Sequence, residues 1–395
     1  MGAGAKAASV RPKDRRAAVL SGALDLFAER GFDQVTITDI GESAGVSAGA
    51  VYRHISSKQE LLDYPIREIV IAGFTTSLLA VERGRSPDLT VAELISSMVT
   101  VAVDHPKEVL LWHREARRVN RDLRNDLIGL RSRTVQYWVD VVVACEPGLT
   151  ADAAEFRVRA SWGLLNCTPL VHGTVLRVRL VDTLVSVVRA VTLGPGLVTT
   201  MPRSPVPFEP VPDLESRREQ LLQHGARLFR ERGYSQVGVD ELGEALGIRG
   251  PSFYLWFPKK SDLLFEILER VADKFDSVHA PTDGVGKERL QTLMTRYVAL
   301  AMQNRDDIAV HAVERQHLPP DQRKIIEHRR QQRISEWVSE LRGVRPNVPD
   351  AIAKILVLAT LEMVMAVARS KRYGATPDIE EALTGIALAA LMSDV

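Results

Sequence analysis

A tyrosine, a lysine and a pair of leucines occur twice in this chain at one fixed spacing. "GVSAGAVYRHISSKQELL" runs from Gly45 to Leu62, and "GIRGPSFYLWFPKKSDLL" from Gly247 to Leu264. Tyr52 and Lys58 return as Tyr254 and Lys260, 202 residues later. A lysine at the start of a helix, where backbone N–H groups also point outward, suits contact with a phosphate. Taken alone, such a lysine reads equally well as a solvated charge, and each tyrosine as a half-buried packing ring. Other chemistry is thinly supported. The chain has no HExxH, no GxSxG and no phosphate-loop lysine motif, and "GVGKER" from Gly284 to Arg289 lacks the phosphate-loop spacing. Its two cysteines, Cys145 and Cys167, are too few for a disulfide framework or a zinc cage and read as reduced, buried thiols. The expectation is no enzyme, no catalytic residue, no metal and no cofactor.

The elements that would carry Tyr52 and Lys58 can be read from local signals. Leu20, Ala23, Leu24 and Phe27 form one apolar helical face, and Gly31 follows as a left-handed stop. Thr36 to Asp39 reads as a capping box that opens a short helix through about Ala44. Gly45 breaks that helix, Val46 turns toward the core, and Ser47 caps a second short helix, about Ala48 to His54. Ser57 to Glu60 reads as a further capping box at the head of a longer helix. A short helix, a glycine turn and another short helix is the helix-turn-helix arrangement, whose second helix can enter a major groove. In the second copy Gly238 stands at the Thr36 position, Arg249 at the Ser47 position and Pro251 in the first turn of the groove helix; Pro258 precedes a helix that starts without the serine box.

From Phe27 to Leu62 the two copies align without a gap, with thirteen of 36 positions identical. Weaker matches follow at an offset of 199: Glu115 with Glu314, and Trp138-Val139 with Trp337-Val338. The duplication therefore covers a whole subunit. Between the copies, "GPGLVTTMPRSPVPFEPVP" (Gly194 to Pro212) reads as an extended linker. The length of 395 residues, 45 % apolar and 26 % charged content, and a net charge of +1 describe a soluble multidomain chain in which any nucleic-acid contact depends on local basic patches. The N-terminal sixteen residues lack an apolar run, and "ILVLATLEMVMAVA" (Ile355 to Ala368) is short of a membrane span. A cytoplasmic location and no membrane partner are expected.

Both halves resemble the TetR family of bacterial transcriptional regulators. The carrying stretches are "ALDLFAERGFDQVTITDIGESAGVSAGAVYRHISSKQELL" and "GARLFRERGYSQVGVDELGEALGIRGPSFYLWFPKKSDLL". The resemblance implies an all-α fold of two TetR-like halves, each a three-helix head followed by a helical ligand-binding and pairing domain. The expected layout is head one at 13–75, ligand domain one at 76–194, linker at 195–214, head two at 215–275 and ligand domain two at 276–395. It also implies a DNA-binding regulator with double-stranded DNA as partner, more specifically a ligand-responsive repressor. A ligand or protein adaptor that keeps the heads only as scaffold is the alternative. Carried onto this chain, the DNA set in half one is Thr38, Ser47, Ala48, Ala50, Tyr52, Arg53, His54 and Lys58. In half two it is Arg249, Ser252, Tyr254, Trp256 and Lys260, with Asp240 at the Thr38 position unable to donate to a phosphate. Arg249 suits guanine, and Ala48 and Ala50 suit thymine methyls. "RPKDRR" (Arg11 to Arg16) reads as an arm for the DNA backbone or as an ordinary basic tail. Family members are homodimers that read palindromes. Two unlike readers in one chain imply an operator with dissimilar half-sites, about 34–36 Å apart.

The last two helices of each half, about Ala151–Leu176 and Leu180–Leu193, then Pro349–Arg369 and Asp378–Met392, are strongly apolar. In the family they pair across the dimer. Here they are expected to pair within one chain as a pseudo-dimer, with pairing between chains as the alternative. A ligand pocket is expected among Trp112, His113, Arg114, Trp138 and Trp162 in half one and His311, His317 and Trp337 in half two; the other reading of these residues is core aromatics and surface charges. "LLWHREARRV" and "VHAVERQHLPPDQR" resemble stretches in family members that respond to acyl-CoA or other lipid-like effectors.

Overall fold

Every regular element among the described residues is helical. The structure is a computed structural model, and it describes residues 12–201, 216–244, 246–247, 250–281 and 284–395. The first half comprises α1 (Pro12–Arg30), α2 (Ile37–Ser43), α3 (Ala48–Val51), α4 (Lys58–Glu82), α5 (Pro87–Asp104), α6 (Pro106–Glu115), α7 (Arg121–Cys145), α8 (Ala151–Leu164), α9 (Thr168–Val171) and α10 (Arg177–Leu193). The second comprises α11 (Arg217–Arg232), α12 (Val239–Glu244), α13 (Gly250–Phe253), α14 (Lys260–Asp276), α15 (Lys287–Gln303), α16 (Arg305–Val313), α17 (Pro320–Val344), α18 (Asp350–Arg369) and α19 (Pro377–Leu391). Much of the expected linker, residues 202–214, lies outside the described residues, as do Arg11 and Arg249.

The chain forms two compact units. One holds the described residues up to 71 together with 107–130; the other holds 72–106 and 131–395. In the first unit, α1 to α4 bury Val19, Ala23, Phe27, Val35, Ile40, Val51, Ile55, Leu61, Leu62 and Ile66 in one core, which Leu111, Val119 and Leu127 complete from farther along the chain. Head one is therefore closed by α6 and the start of α7, and does not end with α4. Head two repeats the solution inside the second unit. Its core runs from Leu221 to Leu268 and is closed by Val310, Leu318 and Ile326, which match Leu111, Val119 and Leu127 at the same 199-residue offset. Each fully buried leucine or phenylalanine contributes on the order of 1.5–3 kcal/mol of burial.

Within the second unit the closing helices of both halves pack on one another, α8 along α18 and α10 along α19. The approach of α8 to α18 is close. A Cβ on Gly163 would lie 2.9 Å from the Ala366 side chain and 3.1 Å from the Met363 backbone. Phe156 meets Tyr373 edge-on at 5.1 Å, and Arg372 pairs with Glu155 at 2.5 Å. By length and composition α4 and α18 could each cross a membrane, but α18 is mostly buried in this bundle and α4 gives Leu61, Leu62 and Ile66 to head one.

One helix is shorter than its pattern suggests. The apolar stretch from Ala151 predicts a helix to Leu176, yet α8 ends at Leu164. A 3-10 turn, the four-residue α9 and Gly173 at φ 74° follow, and Leu176 stands exposed. Pro169 at the start of α9 removes a donor that a continuous helix would need. The first residues of the linker are pinned to α8. Arg157, fully buried, donates to the Val198 carbonyl at 2.7 Å and pairs with Glu146 at 2.6 Å, and the Thr199 carbonyl accepts from Thr150 N at 2.9 Å.

Candidate nucleic-acid interface

In head one the groove helix is held by caps at each turn. The Asp39 carboxylate accepts from the Thr36 N–H and hydroxyl, both at 2.6 Å, while the Thr36 hydroxyl accepts from Asp39 N at 3.1 Å. The hydroxyl bond, more than anything else, holds the Asp39 carboxyl below its ordinary range. Gly45 takes φ 67°, which a side chain would resist, and closes the turn. Gly41 serves differently. A Cβ there would stand 2.8 Å from the Val46 carbonyl, so its absence lets α2 cross the start of α3. The Ser47 hydroxyl accepts from Ala50 N at 3.3 Å and caps α3.

The expected α3, Ala48 to His54, is one turn of α-helix to Val51 followed by a looser turn. The box at Ser57 is also modified. Ser57 accepts from Glu60 N at 3.2 Å, but the Glu60 carboxylate reaches one residue farther back, to Ser56 N at 2.7 Å. That bond draws the Glu60 carboxyl below its ordinary value.

Of the expected DNA set in half one, Thr38, Ser47, Tyr52 and Arg53 are exposed, and Ala48, Ala50, His54 and Lys58 are half-buried. In half two Tyr254 and Trp256 are exposed, Ser252 and Lys260 are half-buried, and Arg249 lies outside the described residues. The two faces differ in chemistry. Around Tyr52 (55 % exposed) stand Arg53 and His54; beside Tyr254 (53 %) stand Leu255 (83 %) and Trp256 (40 %). Asp240, at the Thr38 position, is exposed. Head two keeps the carboxylate half of the first cap, with Gly238 N donating to Glu241 at 2.8 Å.

Lys58 and Lys260 have a role that their helix-start positions do not announce. Lys58 Nζ donates to the Phe32 carbonyl at 2.5 Å and lies 4.2 Å from the centre of that ring. Lys260 Nζ donates to the Tyr234 and Val237 carbonyls, both at 2.9 Å, and lies 4.1 Å from the Tyr234 ring. Each ammonium thus tethers the loop between the first two helices of its head, and burial lowers both lysine pKa values. Of three donors, Lys260 spends two on carbonyls, leaving one for an outside acceptor.

Sequence reasoning passed over Arg16 as a structural residue. Its Nε donates to the His54 carbonyl at 3.4 Å, its NH2 pairs with Glu60 at 3.4 Å, and it stacks on Tyr64 at 5.4 Å. Arg218, at the same 202-residue offset, stacks on Phe257 at 5.1 Å and pairs with Glu266. The signal was present just outside the window of identities. Glu115 and Glu314 were matched by offset, and both are buried beneath their heads: Glu115 accepts from Phe32 N at 3.4 Å, and Glu314 meets His317, which stacks on Tyr234 at 5.2 Å.

The expected pocket residues divide. Trp138 and Trp162 meet edge-on at 5.8 Å, with Trp138 Nε1 donating to Ser77 at 3.2 Å. Trp337 meets Tyr297 at 5.7 Å and His279 at 5.1 Å, and His311 is buried. Trp112 packs on the core of head one, and His317 stacks on Tyr234 at the junction of head two. His113 is half-buried on α6, and the Arg114 guanidinium donates to the Ala28 carbonyl at 3.0 Å in head one.

Sequence profiles agree with this geometry. The profile "Bacterial regulatory proteins, tetR family" matches at residues 19–64 and again at 221–267, and "Tetracyclin repressor-like, C-terminal domain" matches at 283–369. The chain belongs to the TetR family. Both family matches fall on the heads, so the chain is a tandem member with two TetR-like halves. The HTH-type transcriptional repressor KstR2 of Mycobacterium tuberculosis is 30 % identical over 129 residues, which cover 32 % of this chain and 64 % of the repressor. The HTH-type transcriptional regulator EthR of the same species is 32 % identical over 65 residues, 16 % of this chain and 30 % of the regulator. The chain thus spans just under two thirds of the mycobacterial KstR2 repressors it matches. The solved structure of KstR2 from Mycobacterium tuberculosis aligns at 21 % identity with a TM-score of 0.39, over 45 % of this chain and 95 % of that one.

Proposed function

We propose that this protein is a DNA-binding transcriptional regulator that grips an asymmetric operator with two unlike heads of one chain, and that a small molecule releases it. The observation that carries this reading is the pair of independently capped helix-turn-helix units, each exposing a different face: Tyr52, Arg53 and His54 in one, Tyr254, Leu255 and Trp256 in the other. Membership of a regulator family and the likeness to the repressor KstR2 support a repressor. The packing of α8 on α18 and α10 on α19 supports a pseudo-dimer built from a single polypeptide.

On this reading Tyr52 and Arg53 face the duplex in half one, with His54 behind them, and Tyr254 and Trp256 do so in half two. Loss of one base-reading side chain costs about 1–3 kcal/mol of discrimination at its own half-site. Effector binding in a helical domain favours a head arrangement that no longer fits the groove. Selection of sites from random duplex DNA tests the proposal. Recovery of two dissimilar half-sites is expected, and Arg53→Ala is expected to relax one of them alone. Recovery of a clean palindrome, or of no site at all, refutes it.

A further inference from the structure

The two ligand domains are built on one plan and furnished differently. In half two, α15, α16, α17 and α18 bring Tyr297, His311, Arg330, Arg333, Glu362 and Arg369 within electrostatic reach of one another. His311 is 4 % exposed, and its Nε2 atom has no hydrogen-bond partner. Burial first, and then Arg333, Arg315, Arg330 and Arg369, hold the imidazole uncharged. The charged side chains that act most strongly on this histidine are guanidiniums. Arg330 lies 3.6 Å from Glu362, longer than a hydrogen bond, and 3.4 Å from Glu327, while Arg333 donates to Asp276 at 2.9 Å. Burial lowers Arg369 to about 10. Beside these groups stands an aromatic wall: Phe275 stacks on Tyr297 at 4.9 Å, and Tyr297 meets Trp337 at 5.7 Å.

The 199-residue offset shows what half one has in the same places. Arg131 stands for Arg330, but Thr134 replaces Arg333, Gly163 replaces Glu362, Leu170 replaces Arg369 and Trp112 replaces His311. Arg131 lies 5.7 Å from the Trp162 ring, which in turn meets Trp138. Half one thus sets Arg131, on which Arg159 also acts, against indoles, and its Gly163 is committed to the close approach to α18.

An unpartnered buried nitrogen facing several guanidiniums is an arrangement that an oxyanion completes. A carboxylate or phosphate supplies acceptors to a planar guanidinium fork and to a ring N–H at once. Desolvation makes each such bond stronger than it would be in water. We propose that the second ligand domain alone recognises the anionic head of an amphiphilic effector, through His311, Arg330, Arg333 and Arg369, with its apolar part against Tyr297 and Trp337. The first ligand domain does not share this specificity. The proposal rests on the regulator reading and names the chemical class of its effector.

Calorimetric titration of the full chain at pH 7 tests it, with octanoate, octyl phosphate and neutral 1-octanol as probes. Saturable binding of octanoate or octyl phosphate at one site per chain is expected, with octanol weaker by about tenfold or more. The tighter of the two anions identifies the head as carboxylate or phosphate. Arg330→Gln is expected to weaken anion binding about tenfold or more, while Arg131→Gln leaves it unchanged. Because Arg330→Gln leaves Glu362 without that partner, the double variant R330Q/E362Q, whose fold circular dichroism checks, guards against simple unfolding. Absence of binding by both anions up to about 1 mM, equal binding of octanol, or equal loss in Arg131→Gln overturns the proposal. Operator affinity of the probe-free protein is measured alongside. Its loss would defeat the regulator reading, whereas silent titrations with intact DNA binding would defeat only the effector assignment.

Discussion

Gly41 shows how much a single missing atom can decide. Its Cβ would sit 2.8 Å from the Val46 carbonyl, a backbone atom with no room to retreat. Gly41→Ala is therefore expected to destabilise head one by about 1–3 kcal/mol, read as a lower urea midpoint with an unchanged slope. Lys260 makes a similar point through polarity. Lys260→Met strands the Tyr234 and Val237 carbonyls, which each accept at 2.9 Å. The expected cost is about 1–3 kcal/mol for every carbonyl left without a partner, measured by thermal or urea unfolding. An unchanged stability would mean that water replaces the ammonium. At His311 the lever is protons. Its folded pKa lies well below the ordinary 6.5, pushed there by burial and by Arg333, Arg315, Arg330 and Arg369. The unfolded chain therefore binds a proton that the folded chain refuses, so stability is full above about pH 6.5 and falls as pH drops below it. His224 and His279, also lowered mainly by burial, act in the same direction. Melting temperature is expected to decline from pH 7 to pH 5, less steeply in His311→Gln.

The helices that close each half depend on small residues where they cross. Gly163 faces Ala366 and Met363 without a spare ångström, and the Phe156–Tyr373 and Glu155–Arg372 pairs flank that seam. Gly163→Leu is expected to force α8 off α18 and to cost about 1–3 kcal/mol or more, visible as a loss of cooperativity in unfolding. Legibility in the sequence also sorts at this scale by distance along the chain. The Thr36–Asp39 box and the stop at Gly31 could be read because the partners are neighbours. Tyr52 to His54 carry no breaker, so the sequence predicts a longer α3 than the structure has; Val51 and Ile55 pack into the core on either side of the loose turn. The apolar run after Ala151 hides Pro169 and Gly173, which end α8 early. Arg16 on His54, Lys58 on Phe32 and Glu115 beneath head one join residues far apart in sequence, and only the folded chain brings them together.

At the scale of the whole molecule, the duplication itself was legible from residue identities. The two offsets, 202 and then 199, locate equivalent residues down to Arg131 and Arg330. What the offsets do not convey is how far the copies have parted: three guanidinium-bearing or acidic positions of half two are threonine, glycine and leucine in half one. Sedimentation is expected to give the mass of one chain, 43.7 kDa, unchanged on dilution. A mass that doubles with concentration would instead place the α8–α18 pairing between chains.

The covalent join between α8 and α18 has a kinetic meaning. Two separate subunits must find each other before they can act, so at scarce copy number the active species varies with the square of subunit concentration. Helices on one polypeptide meet at a fixed local concentration set by the connecting segment. On the proposed pseudo-dimer, occupancy of a target rises in simple proportion to the number of molecules made, so that a cell holding a handful of copies keeps every one of them assembled.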